Sequence, residues 1–273
     1  MPPERRSRSA FDHGLNCPAM TAGRAMGFDA FVGRCRYPGR GIALGRDDAG
    51  VAFAAYWLTG RSAESRNRRI TVGAGVLDVS DIASGPPDPL RHYTAIIQRS
   101  NRIVVGNGIQ VREVVADLDA GSTIWEALSK LESEPDPPIR TPRITATATV
   151  RGDEVEEVIL CGAVAHPRWP KTAQHNVFHT HRLEVGQCHA MTTYDGDTAE
   201  VSTSGQPTAV EVDDAWPTLL QRIWHALDPA VRVGAAVVPL PGDLRCGRFI
   251  GRHQPVTRAG DMPFPQINKG YGG

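Results

Sequence analysis

The stretch EPDPPIRTPRITATATV, residues 134–150, changes character at its middle. Its first half carries Pro135, Pro137, Pro138 and Pro142. Each fixes its own φ and pushes the preceding residue out of the helical region, so this half is stiff, extended and without repeating structure. From Arg143 onward, Ile144, Ala146, Ala148 and Val150 alternate with Thr145, Thr147 and Thr149. A period of two reads as a strand with two distinct faces. A rigid loop thus delivers Glu134, Asp136, Arg140 and Arg143 to the mouth of a sheet, and sites are commonly built on such loops. A solvated surface connector is the other reading of the same charges.

Strand signals recur on both sides of this stretch. FDAFVGR (28–34), GIALGR (41–46) and VAFAAYWL (51–58) are short apolar runs separated by glycine-containing turns. ITVGAGVLDV (70–79), YTAIIQ (93–98) and RIVVGNG (102–108) follow, then strands over 155–164, 177–185 and 187–194. VRVGAAVV (231–238) is nearly all apolar and reads as a central strand. Helices are fewer. One is capped by Ser122 and carries Ile124, Trp125, Leu128 and Leu131 on one face. Another starts near Trp216 in WPTLLQRIWHAL, with Pro217 suited to its first turn. Many meandering strands with few segregated helices predict an α+β layered fold with antiparallel sheets. No internal repeat or domain linker stands out. Residues 28–252 read as a single domain, 1–27 as a polar, poorly ordered extension and 253–273 as an irregular tail.

The totals exclude several classes. Acidic and basic residues balance at 30 each, so no net field recruits nucleic acid or an anionic membrane. The basic side is almost all arginine, with lysine only at Lys130, Lys171 and Lys269. Arginine presents a planar fork of donors suited to phosphate and carboxylate. The five cysteines (Cys17, Cys35, Cys161, Cys188, Cys246) form no C-x-x-C pair, which argues against a disulfide framework and fits a reducing cytoplasm. No apolar run reaches the roughly 20 residues that span a bilayer.

Four constellations bear on chemistry. GRGIALG and GAG lack the G-x-x-x-x-G-K-[ST] pattern and open no helix in a βαβ unit, which excludes a phosphate loop or dinucleotide fingerprint. HNVFHTHRLEVGQCH gathers His175, His179, His181, Cys188 and His189. His179 and His181 would share a strand face, as zinc ligands could, but no acidic ligand or familiar spacing anchors them, and exposed strand histidines are a second explanation. No G-x-S-x-G is present, and Cys35 would act as an N-terminal nucleophile only if trimming exposed it. GRSAESRNRR packs Arg61, Arg66, Arg68 and Arg69 into one turn, where with Ser62 and Ser65 they could hold a phosphate dianion or form a solvated basic loop.

Read in order, YPGRGIALG (37–45), AAYWLTGRSAESR (54–66), YTAIIQRSNRIVVGNG (93–108) and EPDPPIRTPRI (134–144) resemble the archaeal-type inosine monophosphate (IMP) cyclohydrolases and their bacterial relatives. The resemblance covers roughly residues 28–240, and its specificity lies in the four segments together. It implies a four-layer αββα sandwich of the N-terminal-nucleophile-hydrolase-like kind, working without such a nucleophile. It implies closure of the purine ring of a 5-formamidoimidazole-4-carboxamide ribotide, with no cofactor and no metal. The implied catalytic residues are Tyr93, as hydroxyl donor or proton relay near the formyl oxygen, Glu134, orienting the carboxamide or accepting its proton, and Arg66, binding substrate oxygen. Arg40, Arg61, Asn107 and Arg143 are the expected anchors for the nucleotide. The expected partner is a small-molecule nucleotide rather than nucleic acid or membrane, in the cytoplasm, in a chain compatible with homo-oligomers. The sequence departs from the family pattern at Ala63-Glu64-Ser65, where Phe-Pro-Asn is usual. It departs again at Ile109-Gln110-Val111-Arg112 and at Ser133. These departures keep two alternatives open: a paralogue acting on a related imidazole or purine ribotide, and a non-catalytic ribotide-binding protein.

Overall fold

A computed structural model describes residues 26–258 except 84, 85, 87, 153, 198 and 200; the expectations for residues 1–25 and 259–273 lie outside the described residues. Among the described residues the order begins with β1 (Met26–Gly27), α1 (Phe28–Val32), β2 (Arg40–Arg46), β3 (Ala52–Thr59), α2 (Ala63–Arg66), β4 (Arg68–Gly73) and β5 (Val76–Asp81). It continues through β6 (Tyr93–Arg99), β7 (Arg102–Gly106), α3 (Gln110–Asp119), α4 (Ile124–Ser129), β8 (Arg143–Arg151), β9 (Glu154–Ala165) and β10 (Ala173–Thr180). It ends with β11 (Gln187–Thr192), β12 (Thr208–Glu211), α5 (Trp216–Ala226), β13 (Arg232–Leu240), β14 (Arg248–Gly251) and β15 (Gln254–Arg258).

Two sheets result, one ordered β1-β12-β11-β2-β3-β13-β14-β15 and the other β10-β9-β8-β7-β6-β5-β4. Every pairing is antiparallel except the short β1–β12 edge. The period-two pattern explains how they stack. In β3, Ala54, Tyr56 and Leu58 face one apolar layer, while Phe53, Ala55 and Trp57 face another. In β8, Ile144, Ala146 and Ala148 join the same inner layer as Tyr56. That layer draws residues from both sheets, so the sheets pack face to face. The outer face of the first sheet is covered by α1 and α5 through Phe28, Phe31, Leu219, Leu220 and Ile223. The outer face of the second is covered by α3 and α4 through Val111, Val114, Val115, Ala127 and Leu128. A strand covered on both faces reads as a continuous apolar run, which is why VAFAAYWL shows no polar alternation. The fold is α+β with two antiparallel-rich sheets, and β13 sits inside the first sheet.

Several local expectations are corrected. FDAFVGR is helical: Phe28, Phe31 and Val32 stand at i, i+3 and i+4, and both phenyl rings meet Trp57 edge-on, 6.5 and 6.4 Å between centroids. The cap of α4 is Thr123 rather than Ser122, in a reciprocal capping box with Glu126. Residues 110–119, left without an element in the sequence reading, form α3. The strand expected at 177–185 ends at Thr180. Sheet pairing continues beyond 252, because β14 and β15 form a hairpin on β13. Among the described residues no helix is long and apolar enough to cross a membrane.

Candidate active site

Arg68, Tyr93 and Arg143 are the first residues of β4, β6 and β8, and Asn107 follows the last residue of β7. Antiparallel neighbours bring these strand ends to one end of the second sheet. Arg40 opens β2 of the facing sheet and meets them there. Its backbone is set by Gly39, at φ 71, whose carbonyl accepts from both the amide and the hydroxyl of Thr59 at 2.8 and 2.7 Å. A Cβ on Gly39 would lie 2.2 Å from Thr193 Oγ1, so both the angle and the space demand glycine.

The proline-rich stretch closes on itself. The Glu134 amide donates to the Thr141 carbonyl at 2.8 Å. Asp136 accepts from the Thr141 amide at 2.7 Å and from its hydroxyl at 2.5 Å. The Thr141 hydroxyl also pairs with the Tyr194 phenol, whose ring stacks on Tyr37. This turn holds Glu134 almost wholly inside the protein, 4% exposed.

There Glu134 Oε1 accepts from Arg40 Nη2 and, at 3.1 Å, from Asn107 Nδ2. Asn107 is saturated: Nδ2 also donates to the Pro142 carbonyl at 2.9 Å, and Oδ1 accepts from Gln110 Nε2 and the Ile144 amide, each at 2.8 Å. Its carboxamide therefore braces Glu134 and has no free donor or acceptor to spend elsewhere. Gln110, a departure from the family pattern, is part of this brace.

Arg40 is buried and faces the phenols of Tyr93 and Tyr194 as well as Glu134. Burial works against its charge, but Glu134, helped by the two phenols, outweighs it and leaves the guanidinium firmly protonated. Burial also raises the Glu134 carboxyl above its ordinary value, and the charge of Arg40 opposes that rise. The Tyr93 hydroxyl bonds the Tyr56 hydroxyl at 2.7 Å. Burial and then the neighbouring Tyr93 push the Tyr56 phenol well up, so it stays neutral and can donate. Tyr56 was missed by the sequence reading, although its inward parity with Ala54 and Leu58 was visible.

The arginine turn divides. Ser62 and Ser65 form a capping box that opens α2. Arg66 donates to the Arg61 carbonyl at 2.6 Å on the exposed side, outside the Arg40–Glu134 group. Arg68, not singled out for the site, is the buried member: it donates to the carbonyls of Ser65 and Thr59 at 2.6 and 3.1 Å. Arg143 is half-buried and lies 3.8 Å from Glu113. The residues beside Glu134 border a cavity of about 370 Å³ with Arg140 and Lys171 on its wall. Of the histidine group, His175 bonds the Leu131 carbonyl at 2.9 Å and His189 stacks on Phe178, so neither joins His179 and His181.

The family described as IMP cyclohydrolase-like protein matches residues 37–242. This chain belongs to that family. The match begins at Tyr37, which stacks on Tyr194 beside the loop, and spans each residue assigned to the site above. No match is found among curated proteins. Membership in the IMP cyclohydrolase-like family points to cyclohydrolase chemistry.

Proposed function

We propose that this protein closes the purine ring of 5-formamidoimidazole-4-carboxamide ribotide to IMP, releasing water, as a step of purine biosynthesis. We further read its two face-to-face sheets and outer helices as the αββα sandwich of the N-terminal-nucleophile-hydrolase-like folds. The observation that carries the functional reading is the buried Arg40–Glu134 pair, braced by Asn107 and facing the Tyr93–Tyr56 hydroxyl pair.

The reaction joins two arms of one molecule, so much of its barrier is positional. The carboxamide nitrogen attacks the formyl carbon and loses a proton, while the formyl oxygen gains one. The resulting carbinolamine then expels that oxygen as water as the second ring nitrogen gives up its proton. Glu134 takes the carboxamide proton, a task favoured by a carboxyl raised above its ordinary value. Tyr93 donates toward the formyl oxygen and is resupplied through Tyr56. Arg40 keeps Glu134 ionised in the resting state and offsets negative charge developing on that oxygen. Arg61 and Arg66, on the capped turn after β3, and Arg143 are assigned to the ribotide's phosphate and sugar. Glu134, Arg40 and the phenols need no redox or group-carrying partner for these steps.

The test is direct: purified protein and the formamido ribotide, without added folate, with purine absorbance followed. Turnover supports the reading; a folded, monodisperse protein that leaves the substrate unchanged refutes it. A second reading, action on a related imidazole or purine ribotide, is favoured by the turn 63–65. Ser65, where the family pattern has Asn, spends its hydroxyl on the capping box, and Glu64 places an acid beside the assigned phosphate residues.

A further inference from the structure

On the outer face of the second sheet, away from the Arg40–Glu134 group, a different set of side chains meets. β9 and β10 pair antiparallel with His179 opposite Ile159 and Thr180 opposite Val158. The chain therefore carries His181 alongside Glu157. One ligand atom from each of Glu157, His179 and His181 lies within 4.8 Å of the others. His179 Nε2 is 3.1 Å from Glu157 Oε1. Ligands bound at about 2.0–2.1 Å in tetrahedral zinc are roughly 3.3 Å apart, so this pair already has the spacing of two ligands of one ion.

Two further features favour an ion. His181 Nδ1 sits 3.3 Å from the Glu156 carbonyl. A metal-bound histidine usually gives its second ring nitrogen to such an acceptor, which fixes the tautomer and leaves the other nitrogen's lone pair for the ion. Glu157 also lines a cavity of about 210 Å³ with Ser122, Ile124, Thr147 and Thr149, which leaves open space on the carboxylate's side of the cluster.

We propose that Glu157, His179 and His181 form a binding site for a divalent transition metal of the zinc class. Two imidazoles and one carboxylate suit such ions, and three protein ligands with an open position are a common zinc arrangement. The ion would tie the edge strand β10 to β9, below Trp125 of α4, whose ring meets His179 edge-on at 5.2 Å. The sequence alone offered no acidic ligand for the histidines because Glu157 arrives from the neighbouring strand. The site does not rest on the cyclohydrolase reading.

The metal-stripped full chain should bind one equivalent of Zn²⁺ by calorimetry, and Ni²⁺ should quench fluorescence that Trp125→Phe removes. His181→Ala and Glu157→Gln, both surface changes on folded protein by circular dichroism, should each weaken Zn²⁺ binding by at least about a hundredfold, beyond the ~10–100-fold cost of losing an outer partner. His166→Ala, outside the cluster, should bind like wild type. Absence of stoichiometric Zn²⁺ binding overturns the proposal. So does unchanged affinity in His181→Ala and Glu157→Gln, or a loss that follows His166→Ala instead.

Discussion

Replacing Arg40 with methionine keeps an unbranched apolar stem and removes the guanidinium that hydrogen-bonds Glu134. The two side chains are 10% and 4% exposed, so water cannot replace the lost charge. Removing one partner of a buried ion pair typically costs about 3–5 kcal/mol, because the other charge is left uncompensated. What remains for Glu134 Oε1 is the Asn107 donor at 3.1 Å. The carboxyl can escape part of the cost by taking up a proton. Burial already raises it in the wild type, and loss of Arg40 raises it further. A folded-state pKa above the unfolded one means stability is full below the unfolded value and is lost as pH climbs through the folded value. The Arg40→Met penalty should therefore be small in acid and grow with pH by up to about 1.4 kcal/mol per unit while Glu134 titrates. Urea unfolding of both proteins between about pH 5 and about pH 8 reads this directly. Adding Glu134→Leu should recover most of the stability, since a buried pair replaced by apolar groups is often neutral, while leaving the protein inactive. A penalty below about 1 kcal/mol that does not change with pH would show that Glu134 is hydrated and that the pair is not the buried element described here.

Glu134→Gln and Tyr93→Phe should each lower turnover of the formamido ribotide at least about tenfold, and wild-type rates in either would remove that residue from the proposed chemistry. The acid limb of kcat/KM should fall at a pH above the ordinary glutamate value, because the reactive carboxylate is held by a carboxyl that burial has raised; a limb at the ordinary value would contradict this. Asn107→Ala should destabilise by at least about 1–3 kcal/mol by chemical denaturation, since it strands the Ile144 amide and a Glu134 lone pair inside the protein. Gly39→Ala should cost at least about 1–2 kcal/mol, from the left-handed backbone and the contact with Thr193, and a neutral effect would mean the turn relaxes freely.

The chain's local chemistry was enough to read strands, their antiparallel order and the stiffness of the loop before β8. Alternation in RITATATV and the apolar run VAFAAYWL are consequences of how many faces a strand buries, and that leaves a direct mark in composition. The prolines likewise made the loop's stiffness legible, since they act on their own neighbours, but among its four charges Glu134 was singled out only by the family resemblance. FDAFVGR was misread because seven residues hold too few repeats to separate a helical period from a strand's. Which arginine would meet Glu134 was a different kind of question. Arg61, Arg66, Arg68 and Arg69 share one short segment, yet burial of one and exposure of another depend on strand parity and on what the facing sheet presents. Arg40 reaches Glu134 across 94 positions, Tyr56 reaches Tyr93 across 37, and Glu157 reaches His179 across 22. Such pairings are set by register and by the packing of one sheet on the other, and neither is written in the residues that surround each partner.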